Sequence, residues 1–284
     1  MQHELPLRAP DWIAGLWRRD GILFPDGTAD RSTRVLWGQT HTLYVDVRIP
    51  ADRPRPRGRR SFDDYSLDEL QQLSEQKGFA GHICLAGDVC SWIRYIDYRP
   101  STGRPDSGRV WRDGDTLYEE GDPSSVLASA YRETYRRERT ADRCAVALQS
   151  IDTDTDDPSR SDRAGAILVV IDDRFLFARP RSTKLPPAET LRELIVAAGE
   201  NRELIYSYLD CEVSFGEIGQ AGDGWTIACS TIPHREGRRL LARSAAAVGG
   251  PPDVLSLTND AGTFRWRIVE STIGPAALVR LFGR

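Results

Sequence analysis

The chain reads as one β-rich pattern written twice. The first copy carries Ala14-Gly15-Leu16-Trp17, an acidic hairpin, Thr33-Arg34-Val35-Leu36-Trp37, and then Leu43-Tyr44-Val45-Asp46-Val47-Arg48-Ile49-Pro50. The second carries Cys144-Ala145-Val146-Ala147-Leu148, an acidic loop, Gly165-Ala166-Ile167-Leu168-Val169-Val170, and then Arg174-Phe175-Leu176-Phe177-Ala178-Arg179-Pro180. Trp17 to Tyr44 spans 27 residues, as does Leu148 to Phe175. A repeat of strands with short turns constrains the fold more than any single motif. It predicts two similar units, residues 1–139 and 140–284, each long enough to bury a core of its own.

Period two marks the strands. In residues 43–49, Leu43, Val45, Val47 and Ile49 share one face, and Tyr44, Asp46 and Arg48 share the other. Pro25-Asp26-Gly27, Gly87-Asp88 and Asp113-Gly114 supply turns. Ser66 and Glu69 form a capping box ahead of Leu67, Leu70 and Leu73, predicting a short helix closed by Gly78. A second helix is expected after Pro186-Pro187, on Leu191, Leu194, Ile195 and Ala198. Residues 152–164 read as a linker-like loop, and residues 51–60, with five arginines, as an exposed extended one. One helix per half is too few for parallel βαβ units. The expected fold is mainly β: two tandem antiparallel barrels with one short helix each, closed so that no edge is left bare.

Composition excludes several classes. The net charge is −4 and the pI near 5.7, which argues against a nucleic-acid binder with its basic stripe. Cys84, Cys90, Cys144, Cys211 and Cys229 form no Cys-x-x-Cys pair, which fits reduced thiols in a cytoplasmic protein. The start of the sequence lacks the features of a signal peptide, and no apolar run reaches membrane-spanning length. No membrane, nucleic acid, metal or cofactor is expected.

Gly15-Leu16-Trp17 resembles the Gly-x-Trp opening of lipocalins and related calycins. In those folds the tryptophan plugs one barrel end beneath an arginine of the last strand, a part that falls here to Arg132 or Arg136. A longer match, from about Trp12 to Glu270, resembles the Hri family. It rests on Trp17-Arg18-Arg19, Asp26-Gly27, Thr33 to Thr40, Leu43 to Pro50, and Asp210-Cys211-Glu212-Val213-Ser214-Phe215-Gly216. The resemblance implies two lipocalin-like barrels in one chain and no particular reaction. The arginine-rich loop and the tail after Ser271 depart from it.

Catalytic signatures are weak. His82, Cys84, Cys90 and Cys211 lack the tight spacing of a structural zinc site. Cys90 with His82 or His41, and Ser91 with Asp97, are conceivable nucleophile pairs, but no Gly-x-Ser-x-Gly elbow accompanies them. His234 reads as part of a turn. Residues 219–224 are glycine-rich but open no helix, so they make no phosphate loop. The polar barrel face remains. Trp37, Tyr44, Asp46, Arg48, Trp92 and Arg94 are the candidate ligand-binding residues of a pocket in the first barrel, with Arg48 suited to a carboxylate or a buried ion pair. The competing expectation fills that lumen with Leu43, Val45, Val47 and Ile49 and turns the polar face outward. Two functions follow: a binding protein for a small apolar, amphipathic or carboxylate-bearing molecule or for a protein partner, or a cofactor-independent enzyme with Asp46 or Glu133 as proton carrier.

Overall fold

A computed structural model describes residues 8–55, 57–121, 131–151, 165–219, 224–241, 245–249, 254–259 and 262–283. The first half contributes β1 (Gly15–Leu23), β2 (Ala29–Asp30), β3 (Arg34–Gln39), β4 (Tyr44–Ile49), β5 (Lys77–Ala86), β6 (Val89–Asp97), β7 (Ser107–Asp113), β8 (Thr116–Gly121) and β9 (Arg132–Thr140). β1 pairs with both β2 and β3, each later strand pairs antiparallel with the next, and β1 also pairs with β9 from Gly15↔Thr140 to Leu23↔Arg132. Strands β1 and β3 to β9 therefore close an eight-stranded barrel, with β2 a short flap on β1. Gly87 and Gly114 adopt φ of 65° and 56° at the two tight turns, where a side chain would be strained.

The second half contributes β10 (Ala145–Ile151), β11 (Ile167–Ile171), β12 (Arg174–Arg179), β13 (Glu212–Ile218), β14 (Trp225–Ser230), β15 (Ala245–Gly249), β16 (Val254–Asn259) and β17 (Gly262–Ser271). Again the first strand pairs with the last, β10 with β17. Here the antiparallel sheet runs from β14 to β15, and among the described residues those two strands share no ladder. Residues 237–240 bond to the edge of β14, from Gly237 N to Ile227 O at 2.8 Å to Leu240 N to Trp225 O at 2.8 Å, and a helix covers the space beside them. α4 (Pro275–Phe282) follows β17 and places Leu278 and Phe282 in the apolar cluster of Trp225, Leu168, Val170 and Leu255. Phe282 stacks on Trp225 with centroids 4.9 Å apart.

The helices differ from the sequence reading. α1 (Leu67–Leu73) forms with its Ser66/Glu69 capping box, but Gly78 lies inside β5 and does not end it. The second half has three helices, not one: α2 (Leu191–Ala198), α3 (Arg202–Leu209) and α4. The loop at 152–164 lies outside the described residues, as does part of the 219–224 turn.

The largest apolar core lies between the two sheets. It joins Leu43, Val45, Val47 and Ile49 to Leu176, Ala178, Val213 and Phe215. The expectation that the Leu43 to Ile49 face fills the first lumen is thus overturned. The alternation was right, but the larger apolar surface is a neighbouring sheet, and burial there removes this face from water. Gly38 and Gly78 permit the approach: a Cβ on Gly38 would stand 2.3 Å from Leu176 Cδ1, and one on Gly78 2.8 Å from Val213 Cβ. Polar ties ring this core. Arg181 donates to the carbonyls of Asp97 and Tyr98 at 3.1 and 2.7 Å, Gln76 Nε2 to that of Thr231 at 3.0 Å, and Thr42 Oγ1 to Glu270 at 2.8 Å.

Candidate functional site

The outward turn of the Leu43 face drives Tyr44, Asp46 and Arg48 into the first lumen. Trp37, Trp92 and Arg94 meet them there, so all six sequence candidates share one interior. They are not arranged around a cavity. Arg48 donates from Nε to Asp46 at 3.0 Å, from Nη1 to Glu133 at 2.9 Å and from Nη2 to the Tyr135 hydroxyl at 3.1 Å. Arg19 reaches Glu133 at 2.7 Å and Asp30 at 2.9 Å. Arg94 pairs with Asp97 and Asp106 and lies 3.9 Å above the Phe79 ring. Trp37 meets Trp92 and Tyr135 edge-on, and Tyr44 packs edge-on against Phe79. The space left is about 30 Å³, the scale of a single water.

Glu119 stands directly opposite Glu133 in the β8–β9 register. Burial, then the Glu133 charge, push its carboxyl up to about 8. Burial acts on Glu133 too, but Arg48 and Arg19 outweigh it and hold that carboxyl low. One acid is therefore protonated and the other ionised, with Tyr131 donating to Glu119 at 2.6 Å. The sign for stability follows. Glu119 has a folded pKa above its unfolded value near 4.5, so its contribution is full below pH 4.5 and is lost as pH rises through 8. Urea unfolding at pH 5 and pH 8.5 should show roughly 2–4 kcal/mol less stability at the higher pH. Glu119→Gln should flatten most of that difference; an unchanged slope would mean that Glu119 is ionised in the fold.

One barrel end is closed by Trp17. Its Nε1 donates to the Ile13 carbonyl at 2.7 Å, and the Arg137 guanidinium lies 4.6 Å from the ring while also reaching the Trp12 carbonyl. The sequence pointed to Arg132 or Arg136. Those two lie on the outer face of β9, paired with Glu120 and Asp20, whereas a bulge at Leu16/Trp17 sets Arg137 opposite the tryptophan.

The other chemical candidates are not assembled. Cys90 is buried and its thiol pushed up by burial, His82 is bonded to the Tyr95 hydroxyl, His41 holds Glu270, and Asp97 is engaged by Arg94. Cys211 belongs to the core between the sheets. No group of three metal-ligating side chains occurs among the described residues.

The roomy interior belongs to the second sheet. Along β12, Leu176 and Ala178 enter the core between the sheets, while Phe177 and Arg179 turn to the opposite face. With Leu241, Leu257, Phe264 and Trp266 they line a cleft of about 790 Å³, mostly apolar. Its rim is polar. Arg179 holds Asp210 at 2.6 Å, Arg235 holds Glu212 at 3.3 Å, and the Tyr206 hydroxyl donates to Asp63 at 2.8 Å. The Ser61–Asp63 turn of the first half overhangs the mouth. His234 lies beside it, edge-on to Phe62 at 5.0 Å. Burial, then Arg238 and Arg235, push its pKa down, so the imidazole is neutral at pH 7. Its Nδ1 is buried without a hydrogen-bond partner among the described residues.

The roomier space lies against the second sheet, while the first barrel keeps only its small interior. Arg179 was visible in the sequence at the end of the Arg174–Pro180 stretch, but nothing in its spacing shows which interior is left open. No family model, no curated protein and no solved structure matches this chain.

Proposed function

We propose that the protein is a non-catalytic binding protein that holds a small amphipathic molecule in the cleft of its second unit. The observation that carries this reading is the 790 Å³ apolar space with a polar rim. Ligand pockets fall in this size range, with a few placed polar groups among aromatic walls. The apolar part of the ligand lies against Phe177, Leu257 and Trp266, and a polar group meets the rim beside Arg179 and Arg235.

Within the same proposal, the chain is a duplicated calycin of the Hri kind, with units 1–139 and 140–284. Two observations support it. Both halves place helical structure between their third and fourth long strands and pair their first strand with their last. The Trp17–Arg137 stack reproduces the plug of those folds. No helix among the described residues is long and apolar enough to cross a membrane, and the five unbridged cysteines support a cytoplasmic setting.

The catalytic alternative is weaker. Asp46 and Glu133, its proton carriers, are held by Arg48 and Arg19 in ion pairs that leave neither free to carry a proton.

Native mass spectrometry of protein purified from its own host should show a co-purifying small molecule. Leu241→Trp, which fills the cleft from a partly exposed position, should weaken binding of that molecule at least tenfold, read by Trp266-dependent fluorescence. If the protein carries no such mass, or binds it equally well with the cleft filled, the proposal fails.

A further inference from the structure

Three cations stand in one row across the first barrel, at the end opposite Trp17. Arg48 faces Lys77 directly in the β4–β5 register. The β5–β6 ladder runs from Phe79↔Asp97 to the bond from Tyr98 N to Gly78 O at 2.8 Å, which brings Arg99 beside Lys77. All three line the same small interior. Like charges opposed across strands are destabilising, so the row needs counter-charge.

Only Arg48 has it at bonding distance, from Asp46 and Glu133; Glu133 acts on Lys77, and Asp97 and Asp106 on Arg99, from farther away. Lys77 and Arg99 form no ion pair among the described residues, and Arg99 Nε is buried without a hydrogen-bond partner. The strain registers on both groups. Burial, then Arg99 and Arg48, push Lys77 down to about 8, and burial pushes Arg99 down as well. A vestibule of about 250 Å³ adjoins this end. It shares Trp92, Arg94, Arg99 and Asp106 with the interior and adds Thr102 and Arg104.

We propose that this end of the first barrel binds a small monoanion between Lys77 and Arg99, either a free ion or the carboxylate of an organic acid whose remainder lies against Trp92 in the vestibule. Space and charge select against a dianion. The interior holds about 30 Å³ of free space, and Asp46, Asp97 and Asp106 stand close enough to repel a second negative charge. The site is separate from the second unit's cleft and does not depend on it.

The test is calorimetric titration of the full chain with sodium formate, sodium benzoate and sodium phosphate at fixed ionic strength, with bromide-soaked crystals as a second measurement. Formate and benzoate should bind, phosphate at least tenfold more weakly. Benzoate at least tenfold tighter than formate identifies an organic acid; equal affinities identify a free ion. Lys77→Met should weaken formate binding at least tenfold, while Leu241→Trp leaves it unchanged. An anomalous bromide peak within 4 Å of Lys77 Nζ would support the site even if Lys77→Met fails to fold. No heat with either carboxylate and no bromide peak, phosphate the tightest ligand, or undiminished binding in a folded Lys77→Met protein would each overturn it.

Discussion

Replacing Arg48 with methionine should cost about 3–5 kcal/mol of folding stability, the usual penalty for breaking a buried ion pair from one side. The guanidinium touches Asp46, Glu133 and Tyr135 together. Methionine leaves Glu133 with Arg19 but leaves Asp46, 3 % exposed, with no cation within bonding distance. Burial already raises the Asp46 carboxyl, and Arg48 is the chief force against that rise. Without it the carboxyl must protonate or stay charged in a dry interior, and either outcome disfavours the fold. Adding Asp46→Asn to the same chain should restore about half of the loss, because an amide has no charge to strand. Equilibrium urea unfolding of the two single variants and the double variant measures the coupling. A loss under about 1 kcal/mol for Arg48→Met would show that another cation, Lys77 being nearest in register, takes over the acids.

Phe282→Ala should be comparably damaging, at about 3–5 kcal/mol. Phe282 is two residues from the last of the sequence and 2 % exposed. It stacks on Trp225 where, among the described residues, β14 and β15 share no ladder. Truncating the ring leaves a void against Trp225 and exposes apolar surface beside an edge of β14 that, among the described residues, only the short 237–240 segment pairs. The first effect lowers the urea midpoint. The second should speed amide exchange in β14 and β15 ahead of β10 to β12. If stability falls by less than about 1 kcal/mol and exchange is uniform, α4 is an appendage and not part of that unit's core.

The strand order was legible in the sequence because alternation is local. Residues 43–49 declare two faces, and the structure keeps them. Which face looks inward was not legible. Leu43, Val45, Val47 and Ile49 suit a barrel lumen and a contact between sheets equally well, and the choice depends on Leu176 and Val213, more than a hundred residues away. The candidate residues came together for the same reason. Once the apolar face turned outward, Tyr44, Asp46 and Arg48 had to turn inward to join Trp37, Trp92 and Arg94. The roomy cleft stayed hidden, because a cavity reports what a lumen lacks, and no residue encodes a missing neighbour. α4 was hidden too. Its Leu278 and Phe282 pattern spans two turns, too short to stand out without the Trp225 surface that it covers.

Because its largest core lies between the sheets, this chain meets a delay during synthesis. The outer face of β4 leaves the ribosome roughly 170 residues before β13, an interval on the order of ten seconds or more at ordinary elongation speeds. Through that time the nascent barrel carries a bare greasy wall of Val45, Val47 and Ile49. Holdase chaperones recognise such walls, and two nascent chains side by side could exchange halves through them. The tight fit of Gly38 against Leu176 and of Gly78 against Val213 acts as a latch that only the correct second half can close.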